Sequence, residues 1–268
     1  MKSANRNRVA LITGASKGIG FALAEGLHLD GYHVIGVART EPLQPYSFTF
    51  VQADVTSSSD VDRIAIYFHE NQLPLNVLIQ NAGIGYGGAV EELPSDAFFN
   101  TLNVNVLAID SLNRLLLPLL KTSKGYLIHI GSVAGDLAIP FQTYYSASKA
   151  ALERYSESLR NELKPFEVKV VTVKPGDTKS AFGSNRQKTI QENSPYRARI
   201  ERSLKRMEAD EASGMPTKSV YRVVKRLLIQ KHPPVSVTVG LSYRILQGLN
   251  RVLPKRFVQW LLYQLYAK

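Results

Sequence analysis

Val9-Ala10-Leu11-Ile12-Thr13-Gly14-Ala15-Ser16-Lys17-Gly18-Ile19-Gly20 is the stretch on which the fold turns. A short apolar run ends in three glycines, and a helical pattern follows whose apolar positions are Ile19, Ala22, Leu23 and Leu27. An unbroken apolar run bounded by turn residues suits a strand buried on both faces. Glycines at the strand-to-helix turn let the backbone approach a pyrophosphate and let the helix pack close on the strand. The start of that helix then offers unpaired N–H groups and a partial positive charge to phosphate oxygens. A plain tight turn would use the same glycines, so the reading needs support from the rest of the chain.

That support begins with alternation. Strand-like runs fall at 9–13, 33–38, 49–53, 76–80, 126–131, 168–173 and 235–239, and helical patterns lie near 18–29, 57–71, 95–121, 143–163, 195–212, 217–230 and 255–266. Parallel strands need crossovers, usually helices. The pattern therefore predicts one α/β domain over residues 1–268, with a doubly wound, seven-stranded parallel sheet and helices on both faces. One crossover helix is missing, because residues 40–47 are few and contain Pro42 and Pro45. Residues 177–195 have no clean period, which marks a functional lid or a tolerated insertion.

Tyr145-Ser-Ala-Ser-Lys149 carries the chemistry, with Ser132 thirteen residues before the tyrosine. A tyrosine hydroxyl titrates near pH 10, so it is a poor proton donor or acceptor at neutrality. An ammonium at i+4 lies on the same helix face and is expected to draw the phenol's pKa toward the working range. Ser132 follows an apolar strand, which puts its hydroxyl at a carboxyl end, where open α/β sheets bind ligands. Tyr144 fails the same spacing test, since Ser148 stands four residues on. The five histidines show no metal-ligand spacing and no metal is assigned; His129 reads as a satisfied core or cofactor-facing side chain.

With these motifs in place the chain resembles the short-chain dehydrogenase/reductase family over roughly residues 8–180. The resemblance rests on Thr13-Gly14-x-x-x-Gly18-x-Gly20, Asn81-Ala82-Gly83, Asn105 in Asn-Val-Asn, Ser132, Tyr145-x-x-x-Lys149 and Pro175-Gly176, in the family's order. Gln80, Gly131 and Ser180 depart from its usual residues without removing a catalytic group. A weaker similarity, to the steroid- and retinoid-directed branch, rests on Val237-Thr238-Val239-Gly240 and the basic, aromatic tail. The resemblance implies a catalytic set of Asn105, Ser132, Tyr145 and Lys149. In it Tyr145 exchanges the proton, Ser132 polarises the carbonyl, Lys149 also holds the nicotinamide ribose, and Asn105 holds a water. It further implies cofactor contacts from Gly14, Ser16, Lys17, Gly18, Ile19, Gly20, Asp54, Val55, Asn81, Ala82, Gly83, Tyr145, Lys149, Pro175, Gly176 and Thr178, a substrate loop within 177–195, and a homodimer or homotetramer.

Cofactor choice turns on the end of the second strand. A carboxylate there would bind the adenosine ribose and select NAD. This chain has Ala38-Arg39-Thr40 instead, with Lys17 in the glycine loop. Arg39 can pair bidentately with a 2′-phosphate. Two cations and no acid favour NADP over NAD.

Composition narrows the remaining classes. Cysteine is absent, so there is neither a disulfide nor a thiolate metal site. No apolar run approaches the roughly 18–20 residues that span a bilayer, and the polar start is unlike a signal peptide, so a cytoplasmic location is expected. The net charge of +11 is uneven: residues 1–173 hold 14 Lys+Arg against 16 Asp+Glu, and residues 174–268 hold 19 against 6. No nucleic-acid-binding module accompanies that basic third, which suits a membrane surface or an acidic substrate better. The basic, aromatic stretch 255–266 supports two readings, a helix in a membrane interface or a helix packed over the substrate pocket or in a dimer. Both point to a bulky apolar substrate, steroid-, retinoid- or long-chain-like. The expected function is an NADP-dependent oxidoreductase; the alternative is an NADP-binding sensor or scaffold, which would have no need of a proton relay.

Overall fold

Along β1 (Asn5–Thr13) the side chains alternate between two layers: Val9 and Leu11 enter one apolar cluster, Ala10 and Ile12 the other. Burial on both faces is the consequence of a parallel sheet covered by helices. The computed structural model describes residues 5–180 and 182–268. Its remaining main strands are β2 (Tyr32–Ala38), β3 (Thr49–Gln52), β4 (Val77–Gln80), β5 (Tyr126–Ile130), β6 (Lys169–Pro175) and β7 (Ser236–Val239). They pair in the order β7-β6-β5-β4-β1-β2-β3, every pair parallel.

The helices are α1 (Gly18–Leu29), α2 (Ser58–Glu70), α3 (Ala97–Leu102), α4 (Ala108–Ser123), α5 (Thr143–Leu163), α6 (Arg197–Ser213), α7 (Lys218–Leu227), α8 (Leu241–Val252) and α9 (Lys255–Tyr266). Leu23 and Leu27 of α1 join Val220, Val224 and Leu227 of α7 under one face of the sheet. Ile64 and Phe68 of α2, Leu112 and Leu116 of α4 and Leu159 of α5 cover the other. The strand order reverses between β1 and β4, so the connections leaving these two strands diverge and open a crevice at their carboxyl ends.

Several elements differ from the sequence reading. The helical pattern near 95–121 is split: a π-helical turn at Asn103–Leu107 separates α3 from α4. Such turns insert an extra residue and are frequent at functional sites. The irregular segment is tied down by two-residue parallel pairings, Gln187–Lys188 on Tyr86–Gly87 and Thr178–Lys179 on Met215–Pro216. The β2–β3 connection is the expected loop, pinned by the buried ring of Phe48 against Phe21 and Tyr46. Helix α8 was not anticipated between the last strand and the tail.

Candidate active site

Two features hold the crevice open. Gly14 and Gly18 adopt φ of +67° and +59°, the left-handed region that favours glycine. A Cβ on Gly20 would stand 2.1 Å from Gly14 O, so no larger residue fits where α1 meets the loop. Thr13 Oγ1 accepts from the backbone N–H groups of Asn81 (3.0 Å) and Ala82 (3.1 Å), and Asn81 Nδ2 donates to Thr13 O at 3.1 Å. These bonds strap the end of β1 to the end of β4 across the switch point. Lys17 occupies the N-cap of α1 without a side-chain cap, which leaves the first helical N–H groups for a ligand. The residues thus fit a dinucleotide: a glycine cradle, an uncapped helix start and cations at the far end.

A cleft of about 560 Å³, within the range of small-molecule sites, runs along the strand ends. Gly14, Ser16, Lys17, Gly18, Ile19, Arg39, Asp54, Val55, Asn81, Ala82, Gly83, Ser132, Tyr145, Lys149, Pro175, Gly176 and Thr178 all line it. Arg39 is exposed at the mouth, beside Lys17 and Thr40, with no carboxylate at the end of β2. Lys17 Nζ donates to Asn185 Oδ1 at 2.8 Å, which links the glycine loop to the irregular segment. Asp54 is spent locally: its Oδ1 accepts from Thr56 N at 2.9 Å and Thr56 Oγ1 at 2.7 Å.

Gly20 and Asn105 stand one layer behind the cleft wall. Asn105 is fully buried; its Oδ1 accepts from Ile84 N (2.9 Å), and its Nδ2 donates to Ile84 O (3.0 Å) and Ser148 Oγ (2.9 Å). Its side-chain amide therefore clamps the backbone that follows Asn81-Ala82-Gly83.

Ser132, Tyr145 and Lys149 meet at the cleft's inner end. The Ser132 hydroxyl accepts from Ala134 N at 3.1 Å, and its interaction with the Tyr145 phenol draws that phenol's pKa down. Burial pushes the Tyr145 phenol up to about 12, opposed by the Ser132 bond and by the charge of Arg186. The net direction is the reverse of the lowering expected from Lys149. Lys149 Nζ donates to Ile130 O at 2.8 Å and lies 5.8 Å from the tyrosine ring centroid, and its own pKa falls to about 8 through burial. Tyr144 is turned away and stacks on Phe98, centroids 4.7 Å apart.

Several residues at this end were not read from the sequence. Phe182 lies over Tyr145, ring centroids 5.1 Å apart, and with Ile84 and Ile139 gives the inner end apolar walls. The Arg186 side chain is 1% exposed, is paired with Glu211, and leaves Nε and Nη1 without protein partners. Lys174, also 1% exposed, binds Asp136 at 2.9 Å and Glu153 at 2.8 Å. A lone lysine before Pro-Gly in a buried strand was a signal that acids lay nearby, because a buried charge needs a partner. Arg186 and Phe182 carry no such signal in an aperiodic loop. His129 faces the core: its Nδ1 meets Ser156 Oγ at 2.6 Å, but its Nε2 has no partner, so it is only half satisfied. Among the described residues no group of three or more His, Cys, Asp or Glu could hold a metal ion.

Known proteins are similar to this chain in sequence and fold. Residues 8–191 match the family model described as short chain dehydrogenase. The chain is 33% identical over 264 residues to a 3-ketodihydrosphingosine reductase of Bacteroides thetaiotaomicron, covering 97% of this chain and 98% of the relative. It is 28% identical to an NADPH-dependent 1-acyldihydroxyacetone phosphate reductase of Saccharomyces cerevisiae, over 95% of this chain and 88% of that one. The crystal structure of a short-chain dehydrogenase from Streptomyces avermitilis superposes with a TM-score of 0.79 at 27% identity, over 97% of this chain and 98% of that chain.

Proposed function

The chain belongs to the short-chain dehydrogenase family and is an oxidoreductase acting on carbonyl or hydroxyl groups, and on that premise we propose that it reduces the ketone of a long-chain, lipid-like substrate with NADPH. The convergence of Ser132, Tyr145 and Lys149 at the inner end of a dinucleotide cleft carries this reading. A bound nicotinamide dinucleotide supplies the hydride. Gly14, Gly18 and the start of α1 receive its phosphates, Asp54, Val55 and Asn81-Ala82-Gly83 flank its adenosine, and Arg39 with Lys17 selects the 2′-phosphate.

Ser132 donates to the carbonyl oxygen and polarises it, a preorganised contact commonly worth about 3 kcal/mol of barrier. Tyr145, protonated across the neutral range, gives its proton to the oxygen as the carbonyl becomes an alkoxide. Lys149 holds positive charge beside the phenolate that remains. Asn105 acts as a positioning residue through the Ile84 backbone.

The lipid-like substrate is supported by the names of the Bacteroides and yeast relatives and by the apolar wall of Ile84, Ile139 and Phe182. Among the bulky apolar classes suggested by the sequence, the long-chain class is the one those relatives favour. The test is consumption of NADPH, against NADH, over a panel of aldehydes, steroids, 3-oxoacyl compounds and long-chain ketones. Turnover confined to long-chain ketones with NADPH is expected; preference for NADH or for short polar carbonyls would refute the proposal.

A further inference from the structure

Helix α8 is built inside out. Tyr243, Gln247 and Asn250 face the protein body: Tyr243 OH donates to Asp177 Oδ2, Gln247 Nε2 to Asp136 Oδ2 (2.8 Å) and Asn250 Nδ2 to Asp136 O (3.2 Å). Asp136 is itself held by the buried Lys174, so these bonds fix the rotation of the helix. The opposite face is a stripe of Leu241, Ile245, Leu249 and Val252 at helical spacing, all exposed, with Leu241 at 72% and Val252 at 77%. A globular helix ordinarily turns such a stripe to the core.

Helix α9 continues the pattern. It is anchored on α6 through Tyr266, which packs against Ile200, Leu204 and Met207, and through Arg199 Nε and Arg202 Nη2, which donate to the carbonyls of Ala267 and Lys268. Phe257, Trp260 and Tyr263 remain exposed, Trp260 at 54%, and Phe257 stacks on Trp260. No residue of 241–268 lines the cleft itself.

Charge decides what covers this face. Arg244 and Arg251 are exposed on α8, Lys255 and Arg256 are exposed at the start of α9, and no Asp or Glu follows Glu211 anywhere in the chain. A second copy docking by a two-fold axis would set these cations against themselves, and like charges across an interface cost several kcal/mol. An anionic lipid surface meets both requirements: acyl chains for the stripe and headgroup charge for the cations. We propose that α8 and α9 seat the protein on an anionic phospholipid membrane as a peripheral, interfacial contact. Among the described residues no helix is long and apolar enough to cross one. The inference goes beyond the catalytic reading and does not depend on it.

The test uses the full chain with phosphatidylcholine vesicles, with and without phosphatidylglycerol. Trp260 is the chain's one tryptophan and lies on the proposed face, so its emission reports docking directly. Sedimentation with the anionic vesicles, a blue-shifted Trp260 emission and release as salt rises well past about 0.15 M are expected. Arg251→Glu with Arg256→Glu should weaken binding at least about tenfold, and Ile245→Glu with Leu249→Glu should abolish the emission shift. Far-ultraviolet circular dichroism and the thermal unfolding midpoint check that each variant is folded. Equal retention on neutral and anionic vesicles, or no binding to either, would overturn the proposal. So would self-association that Ile245→Glu and Leu249→Glu abolish. Vesicle binding is read without turnover, so its failure leaves the reductase reading standing.

Discussion

Lowering the pH from 7 to 5 should cost the native protein about 2 kcal/mol of stability through His129 alone. His129 is fully buried on β5. Ser156 Oγ donates to Leu152 O, so it must accept from His129, which places the proton on Nδ1 and leaves Nε2 a buried acceptor without a protein partner. Burial first, and the charge of Lys149 second, hold the imidazole at about 3, against 6.5 in an unfolded chain. Between those values the unfolded state binds a proton that the folded state refuses. Stability therefore falls as pH falls, at about 1.4 kcal/mol per unit once below the unfolded value. Any native pKa under about 4 gives the same loss by pH 5. The assay is urea unfolding of wild type and His129→Asn at pH 7, 6 and 5. The variant keeps every other titrating group, so its stability should fall less over this range, by about 2 kcal/mol. Parallel pH profiles for the two proteins would refute the reasoning.

Replacing Arg39 by Asp should lower kcat/KM for NADPH at least about tenfold, since an arginine–phosphate contact is worth about 1.5–3 kcal/mol, and should shift the NADPH-to-NADH ratio toward NADH; an unchanged ratio would remove Arg39 from cofactor selection. Lys174→Met should destabilise by about 3–5 kcal/mol in chemical denaturation, because Glu153 keeps a buried charge without its cation, and adding Glu153→Gln should recover part of the loss. With Lys149 held near 8, kcat/KM for reduction should decline as pH rises through about 8, where the ammonium is lost, and Lys149→Arg should move that decline upward.

Much of this molecule was legible in the sequence, for identifiable reasons. The seven strands announce themselves because a doubly covered parallel sheet needs unbroken apolar runs such as those around Val9, Val77 and Val170. The glycine loop and the Tyr145–Lys149 spacing are legible because backbone approach and helix geometry constrain residue type locally. The π turn around Asn105 is hidden, since no local pattern distinguishes it from a continuous helix. Helix α8 is hidden for a different reason: its stripe has helical period, but with Asp177 and Asp136 as its inward partners the stripe does not belong to the core. The Tyr145 pKa lies above its ordinary value rather than below it because spacing gives the neighbour and not the burial, and burial is the largest influence. Arg186 and Phe182 reach the inner end of the cleft only through tertiary packing of an aperiodic loop.

The central claim is that Tyr145 gives the proton while a reduced nicotinamide gives the hydride. Tyr145→Phe removes one hydroxyl and preserves the ring that packs on Phe182. With a long-chain ketone and saturating NADPH, turnover of the variant should fall by about two to four orders of magnitude, the usual size of a lost general acid. NADPH affinity, read by cofactor fluorescence, should stay within about twofold, because the glycine loop of Gly14 and Gly18 and the start of α1 are untouched. Turnover within about tenfold of wild type would contradict the assignment of the proton to Tyr145.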